Sequence, residues 1–277
     1  MAFHLETKEI ILVNILQNSR TGCIIVIKQI SLVSSMRETR SSLKDVKKSS
    51  YVALVAALVA LHVILRFIPG PWRTMSILME PLEGMIAGPA GGFVAGLLGS
   101  IVGRVVKPDV IFVENLFGVG EAIGALAAGL MFTRKGVYVF VSYVALLAIF
   151  LIHPLARIIP LWTLWNIYVA LIAVVPGIIV VRRYWKNPLD AKMMTLAVTF
   201  TAFICVELDT LVRVFLLTVC GLYQVYGLTV EALPAIFIIG AFQTPIEAAY
   251  TVAVAAIVGV PALSTLKKSK LLRWPLT

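Results

Sequence analysis

Eight apolar runs follow one another along the chain, and most approach the ~20 residues that a helix needs to cross a bilayer. Hydrophobic residues make up 60% of the chain and charged residues only 14%, whereas a soluble domain is about half apolar and about a quarter charged. We therefore predict an all-α fold, a polytopic transmembrane helical bundle. The runs cover residues 51–68, 74–88, 90–106, 116–133, 137–153, 160–181, 191–220 and 236–262.

The stretch at residues 74–106 is predicted to form two helices rather than one. Pro89 lies in its middle, beside Gly88, Gly91 and Gly92. Proline removes a helical hydrogen bond, and neighbouring glycines permit a turn. The stretch is also longer than a single ordinary span requires.

Basic residues support this division, because the cytoplasmic loops of membrane proteins carry an excess of Lys and Arg. With eight segments, the basic clusters fall on one side of the membrane and both termini are cytoplasmic, with Arg104 and Lys107 as exceptions. The net charge of +10 is therefore explained by cytoplasmic loops rather than by nucleic-acid binding, so we predict a multi-pass cell membrane protein in contact with lipid and no nucleic-acid partner. The clusters are Lys44, Lys47 and Lys48, then Arg134 and Lys135, then Arg182, Arg183 and Lys186, then Lys267, Lys268, Lys270 and Arg273.

The same reasoning divides the chain into three parts. Residues 1–49 are predicted to be a cytoplasmic N-terminal extension, residues 50–268 a transmembrane substrate-binding domain, and residues 269–277 a cytoplasmic tail. Residues 1–35 hold two short apolar patches and lack the small-residue cleavage site of a secretory signal. Met36 opens the basic stretch MRETRSSLKDVKKSS, so residues 1–35 are expected to be either an accessory extension or a segment upstream of the true start.

Small residues form two regular patterns. Glycines recur every three or four residues in EGMIAGPAGGFVAGLLGSIVG, residues 83–103, where small side chains let helix backbones approach closely in a bilayer. In YVALVAALVA, Ala53 and Ala57 are four residues apart, as are Ala56 and Ala60. The alanines form a smooth face on the cytoplasmic half of the first helix. This face is expected either to dock another helix or to pack inside the bundle.

Ionisable and polar residues gather in the helix halves that this topology places towards the outside. Charged side chains at bilayer depth cost ~2.5 kcal/mol or more and usually face a bundle interior or a cavity. Acids outnumber bases among them, so we predict an outward-opening polar pocket. The candidates are Glu80, Glu83, Glu121, Trp165, Asn166, Asp209, Arg213 and Glu247, with Trp162 and Glu207 nearby.

Some of these candidates also fit a structural role. Asp209 and Arg213 are four residues apart and would neutralise each other on one helix face. Trp162 and Trp165 also fit an interfacial aromatic belt. For Glu80, Glu83 and Glu121 the sequence offers no such structural partner.

The segment QTPIE, residues 243–247, predicts a break in the last apolar run. Thr244 and Glu247 match a capping box, with Pro245 at the first helical position. A helix is therefore expected to start there, and residues 234–243 are expected to form a separate short helix or a re-entrant turn. On this interpretation Glu247 only caps its helix.

Sequence motifs for enzymatic chemistry are absent. The chain contains no GxxxxGK[ST] phosphate loop, no HExxH zinc motif and no GxSxG nucleophile motif. The cysteines at 23, 205 and 220 form no pair motif and are interpreted as packing residues. We therefore expect neither an enzyme nor a cofactor or metal site.

Several of these segments together resemble the substrate-binding S component of energy-coupling-factor (ECF) transporters. The resemblance lies in the alanine face, the loop IPGPWR at 68–73, the motifs EGMIAGP and GGFVAGLLG, and the ending TPIEAAYTVAVAAIVGVPALSTLKK. It covers about residues 50–135 and 244–268. It implies a six-helix core, to which this chain adds about two helices, around residues 137–181.

The resemblance also implies partners and roles. The alanines at 53, 56, 57 and 60 would dock against a transmembrane coupling (T) subunit that works with ATPase subunits. A small-molecule nutrient would bind near the outer surface under the loop, with Trp72 as a lid residue. The N-terminal histidine motif of the nickel and cobalt members is missing, so a metal substrate is not expected.

The resulting prediction is the substrate-binding subunit of an ATP-driven vitamin or micronutrient uptake transporter. Unpaired carboxylates at Glu80, Glu83 and Glu121 favour a cationic, thiamine- or pyrimidine-like ligand, because such groups attract positive charge in a low dielectric. Trp165 would supply a stacking or cation–π face. The alternative is a stand-alone proton- or sodium-coupled secondary transporter, and a third interpretation is a membrane scaffold or enzyme.

Overall fold

The computed structural model describes residues 49–70, 73–106, 113–188 and 190–269. Its contacts divide the chain into two units, Met1–Ser50 and Tyr51–Thr277, and the helical bundle belongs to the second. Trp72, Lys107, almost all of the predicted extension and the tail from residue 270 lie outside the described residues.

The described residues form helices joined by short turns, with no strand among them. Each long helix coincides with an apolar run, so the predicted all-α bundle is confirmed. The α-helices are α1 (Ser49–Arg66), α2 (Met79–Val106), α3 (Val113–Phe132), α4 (Gly136–Ile152), α5 (Trp165–Lys186), α6 (Ala191–Thr218), α7 (Leu222–Val225), α8 (Leu233–Val254) and α9 (Val260–Ser269). Short 3-10 turns precede α2, α5 and α8, and a π-helical turn at Ala255–Gly259 joins α8 to α9.

Within the described residues, four helical stretches are long and apolar enough to cross a membrane, namely Ser49–Arg66, Met75–Val106, Leu161–Lys186 and Val230–Lys268. Many of their large apolar side chains are exposed, including Ile64, Ile172 and Ile257. Water would penalise such a surface, whereas lipid would not. These properties indicate a membrane protein.

Helix α2 is two helices that meet at Gly88, as the sequence predicted. Gly88 has φ 77° and ψ 179°, a left-handed conformation that favours glycine. A Cβ added at Gly92 would lie 2.5 Å from the Cα of Gly84, although residues eight apart in one helix are separated by about 12 Å. The chain therefore reverses, and we call residues 79–87 the first arm and residues 89–106 the second arm of α2. Tyr51 caps the end of the first arm by donating to the carbonyl of Ala87 over 3.1 Å.

Side-chain contacts define two ends of the bundle. At the end that we call the Lys267 end, Lys267 donates to Pro188 O over 2.7 Å and Trp185 donates to Phe132 O over 2.7 Å. At the Arg73 end, Arg73 joins α6 to α8 through two ion pairs. The apolar core between the ends includes the fully buried side chains of Tyr143, Phe150 and Ile204.

The predicted break at QTPIE is wrong, because α8 runs through Pro245 without interruption. Proline lacks the N–H that would bond to the carbonyl of Ala241, four residues earlier. The indole of Trp165 donates to that carbonyl over 3.0 Å. Thr244 bonds back to Gly240 O at 2.9 Å, and Glu247 pairs with Arg73, so neither residue caps a helix.

The four alanines on α1 are exposed. None of Ala53, Ala56, Ala57 and Ala60 packs into the interior of the bundle. Tyr51, Val55, Ala56 and Val59 instead border a shallow apolar groove between α1 and the second arm of α2. The internal-packing interpretation of this face therefore has no support in the structure.

Candidate functional site

A cluster of buried charged side chains occupies the half of the bundle nearest the Arg73 end. Helices α1, α2, α3, α6 and α8 all contribute, so the cluster is assembled from distant parts of the sequence. Its members are each at most 8% exposed: His62, Arg66, Glu80, Glu83, Ser100, Arg104, Glu121, Glu207, Asp209 and Glu247.

His62 on α1 joins two carboxylates from different helices. Its Nδ1 lies 2.7 Å from Glu83 Oε1, and its Nε2 lies 3.2 Å from Glu121 Oε2. Ser100 donates a short hydrogen bond to Glu121 and lies 3.4 Å from His62 Nε2. The imidazole therefore links α1 to both the first arm of α2 and α3.

Glu121 also receives two arginines. Arg104 and Arg213 each place a guanidinium nitrogen 3.3 Å from Glu121 Oε1. Arg104 additionally donates to Ser100 O over 3.1 Å. Buried charges are tolerated when they are paired and hydrogen-bonded. Glu121 has such partners on three other helices, α1, α2 and α6.

Asp209 continues the chain of charges from α6 towards α8. Its carboxylate accepts from Arg213 Nε at 2.9 Å, four residues along α6, and from Arg73 at 2.8 Å. Arg73 also contacts Glu247 Oε2 at 2.6 Å. A continuous set of contacts thus runs from Glu83 on α2 to Glu247 on α8.

Two buried carboxylates have no cation within ion-pair distance among the described residues. Both oxygens of Glu80 lack a hydrogen-bond partner in the described part of the chain, although its side chain is fully buried. Glu207 Oε2 accepts from the amide of Asn166 at 2.6 Å, while its Oε1 has no partner. Asn166 uses the same nitrogen to reach Thr244 Oγ1 at 2.9 Å, so α5 connects α6 with α8.

Glycines make the room that these side chains need. A Cβ added at Gly96 would contact Glu83, one at Gly99 would clash with His62, and one at Gly103 would press on Arg66. On α3, a Cβ at Gly124 would overlap the carboxylate of Glu80. Near the reversal at Gly88, a Cβ added at Gly84 or Gly92 would instead meet backbone atoms first, which is the close helix approach that the glycine spacing predicted. The glycines of residues 83–103 therefore serve two purposes. Near Gly88 they let helices pack closely, and towards the Arg73 end they leave space for charged side chains.

A cavity of about 280 Å³ opens among α5, α6 and α8 at the Arg73 end, and we call it the Arg73 cavity. This volume is at the small end of ligand pockets. Polar groups from all three helices and the loop before α2 line it, facing an apolar wall that includes Leu164, Ile167 and Phe237. The polar lining consists of Arg73, Thr163, Asn166, Thr210, Arg213, Gln243, Thr244 and Glu247.

A second cavity of about 350 Å³ lies on the other side of Asn166, between α6 and the part of α8 after Pro245. We call it the Glu207 cavity. Its lining is mostly apolar and consists of Trp165, Asn166, Thr199, Phe200, Phe203, Glu207, Pro245, Ala249 and Val252. Asn166 belongs to both linings and separates the two cavities.

The structure brings most of the predicted site residues into one region, in two layers. Asn166, Arg213 and Glu247 line the Arg73 cavity. The carboxylates at 80, 83, 121 and 209 lie in the buried cluster instead. Trp165 is 46% exposed and borders the Glu207 cavity, and Trp72 is outside the described residues.

Sequence reasoning did not include His62, Ser100, Arg73 or Arg104 in the site. Their addition changes the charge balance, because four of the predicted acids are paired with arginine or histidine. The spacing along α1 places His62 on the face opposite the alanines, which could have indicated that it is buried. Its carboxylate partners, however, are 21 and 59 residues away. Such contacts leave no local pattern.

Within the described residues, no group of three or more His, Cys, Asp or Glu side chains could hold a metal ion. Cys205 is buried and Cys220 is exposed, and both are free thiols.

In comparisons of sequence and of structure, no family model, no curated protein and no solved structure matched this chain. Its class follows from its own features: it is an α-helical membrane protein with a buried charged cluster beneath a polar cavity.

Proposed function

We propose that the chain is the membrane-embedded substrate-binding subunit of an ATP-driven uptake transporter, similar to the S components of ECF transporters. The single observation that carries the proposal is the Arg73 cavity. It combines an apolar wall with converging polar groups from three helices, which is the usual character of a small-molecule site.

The ligand we propose is a small, water-soluble micronutrient. A volume of about 280 Å³ suits a compact heterocycle rather than a peptide or a lipid. Asn166, Gln243 and Thr244 offer donors and acceptors, and Phe237 offers an apolar face. This combination is compatible with the pyrimidine-like or thiamine-like solutes that the sequence favours.

The Arg73 end is proposed to face the outside. The described basic clusters, including Arg134, Arg183 and Lys267, lie at the opposite end. Positive residues concentrate on the cytoplasmic side, so both termini are proposed to be cytoplasmic, in the cell membrane. On this orientation the cavity receives its solute from outside the cell.

The alanine face on α1 is the proposed docking surface for a transmembrane coupling subunit. Its four alanines are exposed, and small residues at this spacing allow a partner helix to approach closely. The ATPase subunits of the complex would supply the energy, because the chain has no phosphate loop.

The first experiment is mass spectrometry of small molecules that co-purify with the detergent-extracted protein. A retained polar micronutrient is the expected result, and its loss from a Gln243→Leu variant would locate it in the Arg73 cavity. An empty protein that also fails to bind candidate micronutrients would contradict the proposal.

A second experiment separates binding from coupling. Ala57→Trp should abolish uptake into cells that contain the partner subunits while leaving ligand binding intact. Val144→Trp on α4 is the matched control, because it adds the same indole at another exposed position and should leave both intact. Loss of ligand binding in the Ala57 variant would remove the case for a docking role.

The alternative function is a proton- or sodium-coupled secondary transporter. The environment of Glu80 is the observation that favours it. Glu80 is a fully buried carboxylate without a hydrogen-bond partner among the described residues, and in this it resembles the ion-binding acids of such transporters. Proteoliposomes that contain this chain alone decide between the two: gradient-driven uptake there supports the alternative, and failure of uptake supports the ATP-driven subunit.

A further inference from the structure

The Glu207 cavity holds a buried carboxylate that no described cation neutralises. Glu207 is fully buried, and its Oε2 accepts from the neutral amide of Asn166. The other oxygen, Oε1, has no partner among the described residues. By contrast, Glu83, Glu121 and Asp209 each pair with a histidine or an arginine.

A carboxylate in this state lacks half of its hydrogen bonding. Burying a charged group without a counterion is strongly unfavourable. Glu207 also lines a cavity of about 350 Å³, so the room for a counterion exists beside it. A cation bound in this cavity would compensate the charge of Glu207.

The rest of the lining suits an organic cation rather than a hydrated metal ion. Three aromatic side chains, Trp165, Phe200 and Phe203, border the cavity together with Val252 and Pro245. Aromatic rings attract cations through their faces, and Trp does so most strongly. A metal ion would instead need several oxygen ligands, which this lining does not provide.

We propose that the Glu207 cavity is a binding site for a small organic ammonium ion, whose positive group pairs with Glu207 and whose apolar part lies against Trp165, Phe200 and Phe203. The proposal goes beyond the solute site in the Arg73 cavity. It rests on Glu207, Trp165, Phe200 and Phe203, none of which lines the Arg73 cavity, so each site can fail without the other.

The test uses benzylammonium as the probe and the full-length protein in lipid nanodiscs. Isothermal titration calorimetry compares its dissociation constant with that of benzyl alcohol, which has the same ring without the charge. The wild-type protein should bind benzylammonium at least about 10-fold more tightly, because a charge-assisted hydrogen bond is stronger than a neutral one.

Glu207→Gln tests the charge while keeping the side-chain size. It should weaken benzylammonium binding about 10-fold or more and leave benzyl alcohol unchanged. Glu231→Gln is the matched control, because Glu231 is an exposed carboxylate outside both cavities, and it should have no effect.

Ala249→Phe tests the cavity without altering Glu207. Ala249 borders the cavity, so the added ring should fill it and abolish benzylammonium binding even if the Glu207 variant does not fold. The proposal is overturned if both variants bind the probe as the wild type does. It is also overturned if benzyl alcohol binds equally well, since the cavity would then accept any apolar group, a lipid chain included.

Discussion

Gly124→Ala should destabilise the protein, although alanine normally favours helices. Gly124 lies on α3 against Glu80, and an added Cβ would be 2.5 Å from Glu80 Cδ and closer still to Oε1. Ordinary contacts begin at about 3.4 Å. Glu80 is fully buried, so its carboxylate has no solvent to move into.

The expected loss is about 2 kcal/mol in the free energy of unfolding. Overpacking a close-packed interior costs roughly 1–3 kcal/mol, and so severe an overlap belongs near the upper value. Alanine recovers about 1 kcal/mol of helix propensity. Gly240→Ala on α8 is the control, because no atom of the described residues lies within 4 Å of its added Cβ, and it should be neutral or stabilising.

Reversible unfolding in mixed detergent micelles, followed by tryptophan fluorescence, measures both variants. Glu80→Ala completes a double-mutant cycle with Gly124→Ala, since it removes the carboxylate atoms that the added methyl group would strike. The coupling energy between the two positions should be about 2 kcal/mol or more. A coupling below about 0.5 kcal/mol, the range of independent sites, would refute the claim that glycine makes room for the carboxylate.

Three further predictions concern the polar contacts. Arg73→Met should destabilise the protein by about 3 kcal/mol, because it leaves two buried carboxylates with fewer cations, and adding Glu247→Gln should recover part of the loss in the same unfolding assay. His62→Leu should lower the free energy of unfolding by a similar amount, whereas an unchanged midpoint would mean that its carboxylates find other partners. Trp165→Phe should lower the free energy of unfolding by about 1–3 kcal/mol, because the carbonyl of Ala241 loses its donor. The loss should be smaller in a Pro245→Ala background, where the backbone N–H of residue 245 can bond to that carbonyl. Equal losses in both backgrounds would contradict the role of Trp165 as the replacement donor.

The helical organisation could be predicted because the signals are local. The apolar runs reveal the helices, and Pro89 beside Gly88 reveals the reversal within α2. The gathering of acids near one end also followed from topology, since each acid could be assigned a depth from its position in its own helix. None of these inferences required knowledge of which helices are neighbours.

Neighbouring helices explain what sequence reasoning missed. At QTPIE the local pattern favoured a helix start, but Trp165 from α5 satisfies the carbonyl that Pro245 leaves without a donor. Glu247 then finds Arg73, 174 residues away. A capping box is only a local solution for unpaired backbone groups, and tertiary contacts supplied another one.

The two small-residue patterns show why the same spacing can have opposite meanings. Alanines on α1 and glycines on α2 both recur every three or four residues, so periodicity alone cannot separate them. The space beside each glycine near the Arg73 end is occupied by a side chain of the bundle itself, either a histidine, an arginine or a carboxylate. The alanines, by contrast, remain exposed within the described part of the chain. In a bilayer, lipid gives helices little hydrophobic reason to associate, so close contact matters more, and this exposed face is the surface that we propose for the partner helix.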